Sequence, residues 1–126
     1  KLKSLRNPEN TFLVLCPNSN LYIENRLPDV TLFRKNNLNI CLGTDSLASN
    51  SRLSVLNEMI TLQQYFPEIS LEEMIKWATF NGARALQTKS RFGSFETGKK
   101  PGVNLITGAD LKNLKLTSKC KVKKLG

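Results

Sequence analysis

Two short apolar segments, each followed by polar residues, most constrain the fold of this chain. Thr11 to Cys16 is a continuous run of apolar and β-branched residues, and Asn39 to Leu42 is a second, shorter run. Uninterrupted apolar runs of this length are typical of strands buried on both faces, as in parallel sheets. The sequence therefore predicts an α/β fold in which both segments are buried strands.

The region between these strands is predicted to hold a long loop and a short helix. Residues Pro17 to Pro28 are mostly polar, and a loop of this length in a compact domain is often functional. Asp29 can cap a short helix. We expect that helix to end near Asn36.

Beyond the second strand, the spacing of apolar residues predicts three helices. A helical period from Leu53 gives one helix of about 12 residues, which Phe66-Pro67 ends. Ser70 to Glu73 has the pattern of a capping box at the start of the next helix. Asn81-Gly82 is expected to interrupt that helix, and Ala83 to Gln87 is predicted to form a further short one.

The C-terminal part of the chain is predicted to form short strands. Val103 to Thr107 reads as one strand. Leu114 to Thr117 and Lys119 to Lys123 alternate apolar with charged or polar residues, which predicts a half-buried strand. We therefore divide the chain into residues 1–92, with the two buried strands and the helices, and residues 93–126, with the C-terminal short strands.

The excess of positive charge is confined to the two ends of the chain. There are 19 Lys and Arg residues against 10 Asp and Glu, a formal net charge of +9. Nine of the basic residues lie at the ends: Lys1, Lys3, Arg6, Lys112, Lys115, Lys119, Lys121, Lys123 and Lys124. The body between them is neutral, whereas a nucleic-acid-binding domain carries a basic face. The charge therefore argues against a nucleic-acid partner.

The chain contains no His, which excludes several kinds of site. A Ser-His-Asp or Cys-His triad, an imidazole base and a His-ligated metal cannot be built from these residues alone. Its 126 residues are too few for a complete eight-unit α/β barrel, which needs about 250. Three widely spaced cysteines favour a reducing compartment, and no apolar run is long enough for a membrane span. A start at Lys1 rather than Met predicts a fragment, an isolated domain or a processed chain.

Candidate site residues follow the two buried strands. In parallel α/β folds, ligands bind at the carboxyl ends of the strands. Two polar segments, 16–20 and 43–46, occupy those positions, and Asp45 is the only acidic residue between Thr31 and Asn57. A carboxylate there suits a metal ligand, a general base, or a helix cap or turn. Position alone leaves these roles open.

Four segments occurring in order resemble the C-terminal third of the amidohydrolase superfamily. They are Cys16-Pro17-Asn18-Ser19-Asn20-Leu21, Leu42-Gly43-Thr44-Asp45-Ser46 with Ser49-Asn50, residues 78–86 and residues 93–105. The branch they resemble most contains cytosine deaminase-like enzymes, chlorohydrolases and S-adenosylhomocysteine deaminases. The similarity spans Thr11 to Thr107.

This resemblance implies the last two β/α units of a TIM-type (β/α)8 barrel, followed by short strands of a small β-sandwich. The implied parent is a metal-dependent hydrolase of C–N bonds that deaminates a small heterocycle with zinc or iron. Asp45 matches the residue that lies beside the metal and takes a proton from the attacking water. Ser19, Asn20, Ser46 and Ser49 match candidate substrate contacts. The histidines of the family would lie before Lys1, so we expect this chain alone to bind no metal and to be inactive.

Two other functions compete with this interpretation. A chain cut from a barrel exposes strand edges and apolar faces, so it could be a structural module that self-associates into a homo-oligomer. A basic nucleic-acid-binding domain is the weaker alternative, because the basic tail lacks interleaved aromatic residues. We expect no membrane partner and a cytoplasmic location.

Overall fold

The computed structural model describes residues 8–126 of the chain. The basic residues Lys1, Lys3 and Arg6 lie outside the described residues. After a 3-10 turn at Pro8–Asn10, the elements are β1 (Phe12–Leu15), α1 (Pro17–Glu24), α2 (Val30–Lys35), β2 (Asn39–Leu42), α3 (Val55–Tyr65), α4 (Leu71–Ala78), α5 (Phe80–Ala85), β3 (Asn104–Thr107) and β4 (Lys121–Lys124).

Strands β1 and β2 pair in parallel, as predicted. Their register runs from Phe12 opposite Asn39 to Leu15 opposite Leu42. The prediction that both strands are buried on both faces is wrong for β1, because Val14 is 60% exposed while Leu15 lies in the core. Side chains alternate between the faces of a strand, and Val14 projects from the face opposite to that of Leu15.

Helix α1 replaces part of the predicted Pro17–Pro28 loop. Pro17 takes the first helical position, where its missing N–H costs no hydrogen bond. Asn25 ends the helix in the left-handed conformation, with φ of 53°, and its N–H donates to the Leu21 carbonyl at 3.0 Å. Only Pro17 and Ser19 of α1 are buried, so the helix carries no apolar stripe for sequence periodicity to reveal.

Helices α2 and α3 follow the sequence prediction. The Asp29 carboxylate accepts from the Leu32 N–H at 2.8 Å and caps α2, which ends before Asn36. Helix α3 has 11 residues, and its cap is Ser54, which accepts from the Asn57 N–H. Within residues 8–126 no helix has the length and hydrophobicity that crossing a bilayer requires.

The capping box of α4 is only half formed. Ser70 Oγ accepts from the Glu73 N–H at 3.1 Å. The Glu73 carboxylate does not reach back to Ser70, because it accepts two hydrogen bonds from the guanidinium of Arg34, at 2.9 and 2.8 Å. One side chain thus joins α4 to α2 instead of closing its own helix.

The break after α4 lies at Thr79, two residues earlier than predicted. Helix α5 spans Phe80–Ala85 and includes Asn81 and Gly82, which were expected to interrupt it. Asn81 is buried, and its Nδ2 donates to the Ile40 carbonyl of β2 at 2.7 Å. Because the Asn81 amide is engaged in this tertiary hydrogen bond, it does not compete for the backbone hydrogen bonds of the helix.

The C-terminal strands are shorter and more exposed than predicted. Strand β3 pairs antiparallel with β4, with Asn104 opposite Lys124 and Thr107 opposite Lys121. All four residues of β4 are exposed, so the half-buried strand predicted for the tail is wrong there. The segment Leu114 to Thr117 forms no strand beyond a single bridge between Asp110 and Lys115, because Leu114 adopts φ of 49°.

Leu116 ties the C-terminal segment to the main core. It is 5% exposed and belongs to the same buried cluster as Ile40, Leu62 and Met74. Gln63 of α3 brackets its backbone with two hydrogen bonds, one to the carbonyl and one from the N–H. The division of the chain at residue 92 stays a prediction.

Truncating Leu116 should destabilise the whole fold. Leu116→Ala removes buried methyl groups and leaves a cavity, so we expect the free energy of unfolding to fall by about 2–4 kcal/mol. Leu111→Ala, in the same segment but 79% exposed, should change it by less than about 0.5 kcal/mol. Urea denaturation followed by circular dichroism measures both variants. Equal effects would contradict the assignment of Leu116 to the core.

Candidate functional site

The segments after β1 and β2 lie side by side at one edge of the sheet. The Gly43 N–H donates to the Leu15 carbonyl at 2.9 Å, which holds the two strand ends together. A Cβ at Gly43 would come within 2.9 Å of Val14 Cγ1, so a larger residue there would make the Val14 side chain shift. Asp45 lies two residues further on; it is exposed and has φ of 56°, in the left-handed region that Asp tolerates better than most residues.

Asp45 accepts hydrogen bonds from two serines that the fold brings to it from different elements. Its Oδ2 lies 2.6 Å from Ser49 Oγ and 3.0 Å from Ser19 Oγ, and the two hydroxyl oxygens are 2.9 Å apart. Both serines are buried, whereas the carboxylate is exposed. We call Ser19, Asp45 and Ser49 the Asp45 cluster.

The serine hydroxyls stabilise the ionised form of Asp45. The hydrogen bond from Ser49 and then that from Ser19 lower the pKa of Asp45 below its ordinary value, and the Ser46 N–H adds to this effect. The carboxylate is therefore ionised at neutral pH, ready to accept a proton or to bind a cation. The cap role left open by the sequence is excluded, since Ser54 caps α3.

The other two predicted substrate contacts lie outside the cluster. Asn20 is half-buried in the first turn of α1, and Ser46 is exposed, with Oγ accepting from the Ala48 N–H. Among the described residues, neither side chain hydrogen-bonds to Asp45. The structure thus brings together Ser19, Asp45 and Ser49 and leaves Asn20 and Ser46 at the margin.

Glu58, which was not predicted from the sequence, is a buried carboxylate that hydrogen-bonds to the sequence neighbours of Ser19 and Ser49. Glu58 lies in the first turn of α3 with 0% exposure. Its Oε2 accepts from the Asn18 backbone N–H at 2.8 Å, and its Oε1 accepts from Asn50 Nδ2 at 2.6 Å. Its position four residues before Leu62 places it on the core face of α3, and an acidic residue on that face was the available signal.

The described residues offer a single metal ligand rather than a complete site. The exposed, ionised Asp45 carboxylate is a suitable oxygen ligand for a divalent cation. Burial raises the pKa of the nearby Cys16 thiol and outweighs the opposing hydrogen bond from the Asp45 backbone, so this thiol is protonated and binds metal poorly. Within residues 8–126 no group of three or more His, Cys, Asp or Glu could hold a metal ion.

The shifted pKa of Asp45 gives a direct test of the cluster. Ser49→Ala removes the hydrogen bond that lowers this pKa most, so the pKa of Asp45 should rise toward the ordinary value of about 3.9. Because the folded pKa lies below the unfolded one, the associated stability is present above about pH 4 and disappears as the pH falls through the folded value. In Ser49→Ala, the free energy of unfolding should therefore fall less on acidification than it does in the wild type.

An NMR titration of the Asp45 carboxyl carbon measures this change. Ser94→Ala is the matched control, because Ser94 makes the same kind of hydrogen bond to Glu96 and lowers the pKa of that residue instead. We expect Ser94→Ala to raise the pKa of Glu96 and to leave that of Asp45 unchanged. An unchanged Asp45 pKa in Ser49→Ala would refute the cluster.

Comparison with known proteins decides the family. Residues 2–125 match the sequence model of the Amidohydrolase family. This chain is a member of the amidohydrolase family. The family resemblance predicted from the four segments is thereby confirmed.

Curated relatives of this amidohydrolase chain are deaminases. A 5-methylthioadenosine/S-adenosylhomocysteine deaminase of Caldanaerobacter subterraneus subsp. tengcongensis is 37% identical over 71% of this chain and 22% of its own length. A 5'-deoxyadenosine deaminase of Methanococcus vannielii is 32% identical over 78% of this chain and 24% of its own length. The chain thus spans about a fifth to a quarter of the length of these relatives.

Solved structures give the same relationship. An adenosine deaminase from Xanthomonas campestris, described with bound zinc, matches 87% of this chain with a TM-score of 0.68 and 27% identity, over 28% of its own length. The guanine deaminase of E. coli shares the fold over 74% of the chain and 22% of its own length, with a TM-score of 0.64 and 23% identity. The α/β class predicted from the sequence is confirmed.

Proposed function

We propose that this chain is the C-terminal part of a metal-dependent amidohydrolase that deaminates a heterocycle. The observation that carries the proposal is the Asp45 cluster, an ionised carboxylate held by two buried serines at the carboxyl end of paired parallel strands. In an amidohydrolase chain, this is a suitable place for a group that accepts a proton from water.

The proposal includes the last two β/α units of a (β/α)8 barrel. Each of β1 and β2 has one strand neighbour among residues 8–126, which leaves one edge of each strand for further strands. The exposed Val14 lies on the face that would turn toward a barrel interior. Strands β3 and β4, in the predicted region 93–126, would belong to the small β-sandwich.

The chemistry we propose for Asp45 is proton transfer during hydrolysis. Water adds to the ring carbon that bears the amino group, the C–N bond breaks and ammonia leaves. A bound zinc or iron, for which Asp45 would be one ligand, lowers the pKa of water toward neutrality. Asp45 accepts the proton of the attacking water at its carboxylate and returns it to the departing nitrogen.

The four polar residues predicted as substrate contacts have two different roles in this proposal. Ser19 and Ser49 are buried and their hydroxyls face Asp45, so they orient its carboxylate. Asn20 and Ser46 keep side chains outside the cluster and are better placed for substrate contacts. The names of the relatives favour an adenosine-type substrate, a purine ring with an exocyclic amino group.

The coding region before Lys1 tests the proposal most simply. We expect it to encode a His-x-His pair and further histidines within a few hundred residues, which would complete a metal site around Asp45. A reading frame without such histidines would refute a metal-dependent enzyme. A cytoplasmic location and the inactivity of residues 1–126 alone stay predictions.

Self-association is the second candidate function, and the exposed Val14 beside the open strand edges favours it. The first proposal predicts that the missing barrel strands cover this face. Sedimentation of the 126-residue chain tests the second candidate, because a clean monomer at high concentration would exclude an oligomerisation module.

A further inference from the structure

Glu58 links the two segments that supply the Asp45 cluster. Its Oε2 holds the backbone N–H of Asn18, the residue before Ser19. Its Oε1 holds the side-chain amide of Asn50, the residue after Ser49. The two carboxylate oxygens of one fully buried side chain therefore span a gap between segments that are 30 residues apart in sequence.

At helix α1, Glu58 does the work of an N-cap. The cap position belongs to Cys16, which makes no side-chain cap hydrogen bond. Asn18 occupies the second helical position, where the N–H has no partner within the helix. Glu58 satisfies this N–H from α3, and Thr61 of the same helix donates to Asn18 Oδ1 at 2.7 Å. Helix α3 thereby fixes the turn that presents Ser19.

At the other segment, Glu58 acts through Asn50. The Nδ2 group of Asn50 donates both to Glu58 and to the carbonyl of Thr44, the residue before Asp45, at 2.8 Å. Its Oδ1 accepts from the Arg52 N–H at 3.2 Å. A rotated Asn50 amide would lose all three hydrogen bonds, so the orientation of this side chain is fixed.

We propose that Glu58 is a positioning residue that holds Ser19 and Ser49 in register with Asp45. Among the described residues it hydrogen-bonds to none of these three, and each of its two hydrogen-bond partners is the sequence neighbour of one of the serines. A buried group that accepts hydrogen bonds from two segments at once fixes their relative placement, because moving the segments apart would leave a buried polar group without a hydrogen-bond partner. The catalytic meaning of this role rests on the proposed deaminase function.

The variant Glu58→Gln tests this link with almost no change of shape. A carboxamide has one acceptor oxygen and one donor nitrogen, whereas both partners, the Asn18 N–H and Asn50 Nδ2, are donors. One of the two hydrogen bonds must therefore be lost. Amide hydrogen exchange of the 126-residue chain should show about 10-fold or greater loss of protection in the segment that loses its bond, read at the Asn18 N–H for one segment and at the Ser49 N–H for the other.

Reference amides and control variants separate positioning from general destabilisation. The Ala83 N–H of α5 is bonded to the Thr79 carbonyl. Its protection in Glu58→Gln should equal that in the wild type. Glu72→Gln, the same change at an exposed residue of α4, should alter none of these amides. Ile69→Val, a core change away from the cluster, should lower protection uniformly. A uniform loss in Glu58→Gln, or no loss, would overturn the proposal.

Asn50→Ala provides a second variant should Glu58→Gln fail to fold. This variant removes only the hydrogen bond between Glu58 and Asn50. Protection should therefore fall at the Ser49 N–H, while the Asn18 N–H keeps its bond to Glu58. Equal losses at both amides, or none, would overturn the positioning role.

Activity of the longer protein that contains this chain tests the catalytic meaning separately. Glu58→Gln should lower kcat by about 10–100-fold and leave KM nearly unchanged, as is usual for groups that orient a functional side chain. Wild-type kcat in this variant would overturn the catalytic part of the inference. A wild-type protein that releases no ammonia would instead refute the proposed function, while the exchange result would stand.

Discussion

Asp45→Asn should lower the turnover of the proposed deaminase, the longer protein that contains this chain, by roughly 10²–10⁴-fold, the range expected on losing a positioned general base. The carboxamide has nearly the same shape, and its oxygen can still accept from Ser49 or Ser19. It cannot accept the proton of the attacking water at neutral pH. The fold should therefore survive, while the chemical step slows.

Asp29→Asn is the matched control for this prediction. Asp29 caps α2 by accepting from the Leu32 N–H, and Asn caps helices about as well as Asp. The control should retain turnover and thermal stability. Steady-state kinetics and circular dichroism of the two variants give the comparison. Near-normal turnover in Asp45→Asn would show that Asp45 is not the proton acceptor.

Removal of the metal should abolish the same activity. Among the described residues, Asp45 is the one ligand that we propose for the metal ion, so the ion would be held mainly by residues before Lys1. Without it, the pKa of water returns to its high bulk value and several kcal/mol of stabilisation are lost. We expect dialysis against a chelator to lower turnover by at least about 100-fold, with recovery on adding zinc or iron.

The control for metal removal is the 126-residue chain itself. Since residues 8–126 contain no group of His, Cys, Asp or Glu able to hold a metal ion, its circular dichroism spectrum should not respond to the chelator. Metal content measured on the dialysed longer protein completes the experiment. Full activity at negligible metal content would contradict metal-assisted hydrolysis.

The central parts of the site could be predicted because they depend on strong local patterns. The apolar runs of β1 and β2 place their carboxyl ends at one edge of a parallel sheet, and this puts Ser19 close to Asp45 although 26 residues separate them. The apolar period of α3 and the Asp29 cap are equally local. In each case the residues that set the structure are adjacent in sequence.

The missed features depend on contacts that no short pattern contains. Helix α1 has little apolar surface, and its first turn is satisfied by Glu58, 40 residues away. Asn81 continues α5 because it donates to the carbonyl of Ile40. In place of the expected strand, Leu114 adopts φ of 49° and Leu116 packs into the core. These choices are made by tertiary structure, which overrides weak local preferences.

The release of ammonia tests the account most directly. The protein translated from the complete reading frame around this chain should, with zinc or iron bound, release one ammonia per molecule of an adenosine-type substrate and convert the amino-bearing ring carbon to a carbonyl. Residues 1–126 alone should release none. A metal-loaded longer protein that leaves adenosine-type and other amino-heterocycles unchanged would contradict the account.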